Sequence, residues 1–452
     1  MTKLKTIYTC QNCGAESPKW IGRCPACNLW NTYVEEIVDT SPKSGGMPVV
    51  TGDHIPLPLE EISNLHQERI DTGISEFNRV LGGGLVPGSL VLLGGEPGIG
   101  KSTLVLQLAL AMKGKKILYA SGEESLQQIK LRANRLNLKG KGALFLSETS
   151  LEMMMAVVEE HKPDILVVDS IQTLATDRIE SSPGSVGQVR ECTAAILRYA
   201  KRSHMTAILI GHINKEGNLA GPKVLEHIVD TVIQFEGDNQ HYFRVLRSTK
   251  NRYGSTSELG IFEMRQNGLV EVPNPSDHLI SGDTGPVSGT AIAATIEGVR
   301  PFLIEIQSLV STAAYGVPQR SSTGFALRRL NMLLAVLEKR AGFRLASRDV
   351  FLNVAGGLKI TDPATDLAVL VAILSSSLDL AVDHHYAFAG EVGLTGEVRA
   401  VGRLEQRIAE AARLGFSRIF VPRFNKGYDP ASFPLEIIRV TRVEEVFKKL
   451  FH

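Results

Sequence analysis

The chain has 452 residues, 43% hydrophobic and 21% charged, with 49 Lys and Arg against 48 Asp and Glu for a net charge of +1. That length suits about three domains, and the charge balance excludes a globally basic, polymer-coating protein while leaving room for local basic loops. No apolar run reaches the roughly 18 residues of a membrane span, and Met1 to Thr6 lacks the apolar core of a signal peptide, so a cytoplasmic protein is expected.

The first 34 residues carry Cys10, Cys13, Cys24 and Cys27 as two C-x-x-C pairs ten residues apart. Four thiolates in two knuckles suit a closed tetrahedral Zn²⁺ site. So small a segment cannot bury a sufficient core, and the metal would supply the folding energy. A redox reading lacks the βαβ context that such a motif needs. Trp20, Trp30 and Lys19 offer either a contact surface or packing around the metal, and Cys192, alone in a helical pattern, reads as inert core. Residues 35–60, rich in Pro, Ser and Gly, read as a linker.

From 61 to 272 strand-like and helix-like segments alternate, the pattern of an α/β domain with a mostly parallel sheet. Strands are expected at 89–94, 116–121, 164–169, 206–211, 228–235 and 241–248. The first runs into Gly95-Glu96-Pro97-Gly98-Ile99-Gly100-Lys101-Ser102, a G-x-x-x-x-G-K-S loop with a helix expected from Thr103. In such a loop glycines let backbone N–H groups converge on phosphate, the Lys adds a cation, and the Ser hydroxyl holds Mg²⁺. The helix N-terminus adds its dipole. These residues, Thr103 included, form the expected ATP site.

The strand ending at Asp169 supplies the acid expected of a Walker B site, whose carboxylate holds Mg²⁺ through water. The next residue is Ser170, not the Glu that often serves as catalytic base, so the base has to come from elsewhere. Glu123, at the carboxyl end of the strand at 116–121, is the candidate for polarising the attacking water; Glu124 is the second choice. Both also fit a helix-capping pair. His212, at the end of the strand at 206–211, is a candidate γ-phosphate sensor or simply a hydrogen-bonded side chain.

This layout resembles the RecA/DnaB class of ring-forming motor ATPases. The pentapeptide Lys250-Asn-Arg-Tyr-Gly254 is similar to the Lys-Asn-Arg-Phe-Gly signature of the bacterial RadA (Sms) family, with Tyr in place of Phe. The resemblance extends over the whole chain. It implies a homo-hexameric, DNA-stimulated ATPase that works with the RecA recombinase, loads on single-stranded DNA and moves the branch of a recombination intermediate. Lys250 and Arg252 would reach a neighbouring subunit's triphosphate, where added cations stabilise charge on the transferring phosphoryl group. In a ring of this class, the segments holding Arg178, Lys215 and Lys223 face the channel, where these cations would track DNA phosphates.

Residues 273–286 read as a second linker, and 287–452 as another α/β domain with strands near 290–296, 302–308, 348–354, 386–390 and 418–421. The stretches 351–366 and 390–402 resemble Lon-type proteases, which pair a Ser nucleophile with a Lys of lowered pKa. Alignment puts Ala364 and Glu405 at those two positions, so a non-proteolytic scaffold for oligomerisation is expected. Arg328, Arg329, Lys339, Arg340, Arg344 and Arg348 form either a DNA-facing patch or a solvated helical face. The expected fold is therefore α/β, with a small four-Cys zinc module, a RecA-like P-loop core and a Lon-like C-terminal domain. A regulatory ATPase acting on protein partners is the alternative function. An ATP-dependent protease is a third, and the missing dyad argues against it.

Overall fold

A computed structural model describes residues 4–10, 15–39, 58, 68–138, 142–212, 224–237, 243–280, 285, 287–313 and 317–451. The expected linker at 35–60 lies mostly outside these residues, as do Cys13, Lys215 and Lys223. The chain forms two compact units, residues 1–236 with 244–271, and residues 237–243 with 272–452. No helix among the described residues is long and apolar enough to cross a membrane.

In the first unit, β1 (Leu4–Cys10), β2 (Glu16–Ser17) and β3 (Tyr33–Asp39) make a small antiparallel sheet around the cysteines. There follow α1 (Ser75–Leu81), β4 (Leu90–Gly95), α2 (Lys101–Ala111), β5 (Ile117–Ser121), α3 (Leu126–Leu136), β6 (Ala143–Ser147), α4 (Leu151–His161) and β7 (Ile165–Asp169). The unit is completed by α5 (Val186–Ser203), β8 (Thr206–His212), α6 (Val224–Ile228), β9 (Thr231–Glu236), β10 (Phe243–Asn251), β11 (Leu259–Arg265) and β12 (Gly268–Glu271). The large sheet has the order β12-β11-β10-β9-β4-β8-β7-β5-β6 and is parallel from β9 to β6.

Burial on both faces explains why its central strands are nearly uniformly apolar. Along β4, Val91 and Leu93 join Phe77, Leu104 and Ile129 on one face, while Leu90 and Leu92 join Met154, Val189 and Ile196 on the other. The helices start where short polar side chains cap them. Ser125 and Gln128 form a reciprocal capping box on α3, and Ser150 and Ser185 cap α4 and α5. Glu123 and Glu124 are therefore not the caps of α3.

Two differences from the expected boundaries bear on the site. Helix α2 begins at Lys101 rather than Thr103, because Gly100 at φ 114° turns the chain sharply into the first helical turn. Strand β10 runs on to Asn251 and so includes the start of the Lys-Asn-Arg-Tyr-Gly segment, with a register shift between Ser248 and Lys250. Such a bulge re-aims the side chains beyond it. The edge strand β6 and the hairpin β11–β12 lack a strong alternating pattern and were absent from the expected strands.

The second unit contains α7 (Ser276–Leu279), β13 (Thr290–Glu297), β14 (Arg300–Thr312), β15 (Arg320–Thr323), α8 (Leu327–Ala341) and β16 (Arg348–Val354). It continues with α9 (Asp366–Leu378), β17 (Tyr386–Phe388), β18 (Glu391–Val392), β19 (Val398–Arg399), α10 (Leu404–Arg413), β20 (Arg418–Pro422), β21 (Glu436–Val440) and α11 (Val443–Phe451). Its mixed sheet has the order β15-β16-β14-β13-β17-β20-β21. Helix α9 is buried on all sides from Asp366 to Ser375, as its lack of a polar face requires.

Candidate active site

The carboxyl ends of four neighbouring parallel strands converge. Gly95 of β4 lies opposite His212 of β8, and Ser121 of β5 lies opposite Asp169 of β7. This is the edge at which open α/β sheets gather ligands. A β-carbon on Gly95 would meet the Phe235 carbonyl oxygen at 2.8 Å, so only glycine lets the loop leave the sheet here.

Lys101 is buried, and its ammonium uses all three donors. Nζ lies 2.8 Å from the Gly95 carbonyl oxygen, 2.9 Å from that of Glu96 and 3.3 Å from His212 Nδ1. Burial lowers its pKa to about 8, against the pull of Asp169, Glu123 and Glu96. An ammonium can only donate, so Nδ1 of His212 accepts and Nε2 carries the proton. That Nε2–H lies 3.1 Å from Glu123 Oε1, which also accepts from Ser170 Oγ at 2.5 Å. The His212 hydrogen bond outweighs burial and, with Ser170, brings Glu123 to about 2. Glu123 is thus an ionised carboxylate, linked to the phosphate-loop lysine through one imidazole.

Asp169 is buried and accepts from Ser102 Oγ at 3.1 Å and from Tyr119 OH at 2.6 Å. Burial raises its pKa against both hydrogen bonds, and burial beside Asp169 pushes the Tyr119 phenol well up, which keeps it a donor. Ser102 and Asp169 supply hard oxygen donors on one side of the loop, a set that fits Mg²⁺. Glu124 instead pairs with Arg132.

In the cysteine module, the sulfurs of Cys10, Cys24 and Cys27 lie within 4.8 Å of one another, and Cys10 Sγ is 3.7 Å from Cys27 Sγ. That separation matches the edge of a tetrahedron with metal–sulfur bonds of ~2.3 Å. None of the described cysteines forms a disulfide. The donor set therefore fits zinc, with Cys13 the fourth position in the sequence.

Residues 56–218 match a family model described as an AAA domain, residues 8–35 one described as a rubredoxin metal binding domain, and residues 313–425 one described as subunit ChlI of Mg-chelatase. The chain is 48% identical over 453 residues to the DNA repair protein RadA of Bacillus subtilis, covering 99% of both sequences. The chain belongs to the RadA family of DNA repair proteins. The RadA of Listeria monocytogenes is 48% identical over 450 residues, covering 99% of this chain and 98% of that protein. The RadA of Streptococcus pyogenes serotype M3 is 47% identical over 453 residues, covering 100% of both. Among solved structures, a KaiC-like protein of Pyrococcus horikoshii aligns over 46% of this chain and 99% of its own, with 23% identity and a TM-score of 0.39.

The RadA pentapeptide segment is tied to its own chain. Lys250 Nζ donates to the carbonyl oxygens of Glu226 at 2.6 Å and Val229 at 2.8 Å, at the end of α6. Burial and the Arg252 charge lower its pKa. Arg252 Nη1 lies 3.3 Å from Asp230 Oδ1, while Asp230 Oδ2 takes Lys201 Nζ at 2.7 Å and the Leu90 N–H at 3.0 Å. Asp230 and Tyr119 escaped the sequence reading. An acid at the head of an apolar strand was the available signal for Asp230; for Tyr119 only the β5–β7 pairing reveals the contact.

Arg178 is exposed, 3.8 Å from Glu152. Cys192 is fully buried, and burial first, then Glu152 and Glu191, pushes its thiol up to about 12. In the second unit Ala364 is buried and Glu405 exposed. Arg329 departs from the proposed basic patch: its guanidinium forks onto buried Asp366, which also accepts from the Val392 N–H at 3.0 Å. A cation held this way is a packing element, not a free phosphate ligand.

Proposed function

We propose that the chain is a DNA-stimulated ATPase of homologous recombination and repair, which loads on single-stranded DNA as a homo-hexamer and moves branched intermediates together with RecA. The observation that carries this reading is the relay Lys101–His212–Glu123 beside the Ser102–Asp169 pair at the strand ends. Phosphoryl transfer needs positioned cations, a metal-holding carboxylate and a group that orients water, and these residues supply the three.

The N–H groups of Gly98 to Thr103 cradle the phosphates. Lys101 exchanges its loop carbonyls for phosphate oxygens. Mg²⁺ held by Ser102 and Asp169 would neutralise charge on the phosphates. Glu123, ionised at neutral pH, accepts a hydrogen bond from the attacking water and aligns it. His212 links that carboxylate to Lys101, so a change at the phosphate alters the strand that leads to Lys215. Zinc held by Cys10, Cys13, Cys24 and Cys27 would supply the folding energy of the N-terminal module.

Lys250 and Arg252 would have to exchange their own-chain partners, the Glu226 and Val229 carbonyls and Asp230, to supply cations to a neighbouring subunit's site, and Arg178, Lys215 and Lys223 track DNA phosphates. Residues 287–452 serve as the scaffold.

The test is ATP hydrolysis with and without single-stranded DNA, followed by unwinding of a branched substrate with and without RecA. Stimulation and unwinding are expected, with mixed rings of K101A and R252A subunits regaining hydrolysis that each lacks alone. Hydrolysis indifferent to DNA, with no DNA binding, would instead select the regulatory ATPase that acts on proteins.

A further inference from the structure

The metal module leaves its two largest aromatic side chains outside its core. That core consists of Cys10, Cys24 and Tyr33, packed by Tyr8, Ala15, Ile21 and Cys27. Trp20 and Trp30 take no part in it, and are 53% and 68% exposed. Packing around the metal is therefore the work of tyrosine and isoleucine, which removes that explanation for the tryptophans.

Their placement is specific. Trp20 and Trp30 lie on the two arms of a turn held by an antiparallel bridge between Arg23 and Trp30 and by the Asn31 N–H on the Gly22 carbonyl at 2.7 Å. Gly22 lies between them. A β-carbon there would sit 3.7 Å from Trp20 Cη2 and 3.7 Å from Trp30 Cζ3, so both indoles border one small space that glycine leaves open. The two indole edges therefore lie close together across Gly22, within reach of one stretch of unpaired strand. Cations flank it: the Arg23 guanidinium carbon is 5.8 Å from the centroid of the Trp30 ring, and Lys19 is exposed beside Trp20. Across residues 1–34 the sequence holds Lys3, Lys5, Lys19 and Arg23 against the single carboxylate Glu16.

Exposed aromatic faces beside cations are how proteins hold unpaired strands, since every base presents a π-face and every linkage a phosphate. We propose that Trp20 and Trp30, with Gly22 between them, form a stacking site for an unpaired base of single-stranded DNA, and that Lys19 and Arg23 take the adjoining phosphates. The proposal rests on the DNA reading above and adds a contact outside the ATPase domain.

The chain contains two tryptophans, both in this module, so the emission of the full-length protein reports on this site alone. The zinc-loaded protein is titrated with a fluorescein-labelled oligothymidylate of about 20 nucleotides, long enough for several stacked bases. DNA anisotropy and tryptophan emission are recorded in parallel, with ATP alone as a second ligand. The expected result is quenching that tracks anisotropy and weakens with salt. W20A and W30A should each weaken binding by about 5- to 150-fold, as expected for one base–aromatic stack, and W20F and W30F by less. Zinc content checks that each variant is folded.

DNA binding by anisotropy with unchanged emission overturns the stacking site and leaves the DNA-motor reading intact. So do alanine variants that bind as wild type, or quenching by ATP alone to the same extent. Absence of any DNA binding overturns both.

Discussion

Both compact units bury charged side chains where strands give way to helices, but they close those charges differently. In the ATPase unit, the Lys101 ammonium rests on two loop carbonyls and a neutral imidazole, with no carboxylate in contact among the described residues. In the C-terminal unit, Arg407 donates to Asp362 at 2.6 Å and to the Ala294 carbonyl at 2.7 Å. Asp362 in turn accepts from the Ile296 N–H at 2.9 Å, the Ala364 N–H at 3.0 Å and Thr295 Oγ1 at 3.1 Å. Dipoles alone leave Lys101 free to exchange its partners for a phosphate. A matched carboxylate leaves Arg407 nothing to exchange. The first arrangement is a site for chemistry and the second a joint, although both arise in α/β frameworks.

The largest test of this contrast is E123Q. It keeps the shape and a hydrogen-bond partner for His212 but removes the charge that we propose orients water. The kcat of ATP hydrolysis should fall by about 10²- to 10⁴-fold with KM nearly unchanged; full activity would remove Glu123 from the chemistry. Next is D366A, which leaves Arg329 only its longer contact with Glu391 at 3.8 Å and strands the Val392 N–H. The penalty expected for breaking a buried pair is about 3–5 kcal/mol in urea unfolding of the C-terminal unit. A loss below about 1 kcal/mol would show that this joint is no more closed than the catalytic cluster.

Y119F is smaller. It removes one hydrogen bond to the Asp169 carboxylate, worth about 1.5–3 kcal/mol to a charged acceptor, and should shift the Mg²⁺ dependence of hydrolysis; an unchanged Mg²⁺ titration would make Tyr119 a packing residue only. The smallest effect concerns the thiols. Chelation should make Cys10, Cys24 and Cys27 alkylatable, while Cys192 stays unlabelled from pH 7 to 9 until unfolding. With its thiol at about 12, the reactive thiolate is ~0.1% or less across that range. Labelling of Cys192 in the folded chain would show that the α5 side of the sheet opens.

Much of the ATPase site was legible because its chemistry is local. The loop from Gly95 to Ser102 and the strand ending at Asp169 declare themselves by residue type and spacing, and the RadA pentapeptide by similarity. Glu123 is a candidate by its position at a strand end. Its partners were not legible in this way. His212 touches it across 89 positions in sequence, and Ser170 across 47. The basic patch on α8 shows the opposite limit, because Arg329 looks like its neighbours until Asp366 appears beneath it.

The amino-acid sequence by itself determined the α/β class, the metal module and the phosphate loop, since backbone geometry, ligand chemistry and hydrophobic pattern act over short stretches of chain. Tertiary structure alone decided which charges are closed and which are available. It brought Tyr119 to Asp169, tied Arg252 to Asp230 and left Trp20 and Trp30 outside a core. Those outcomes depend on strand order and register, which place side chains distant in sequence within hydrogen-bond reach and which no local pattern encodes.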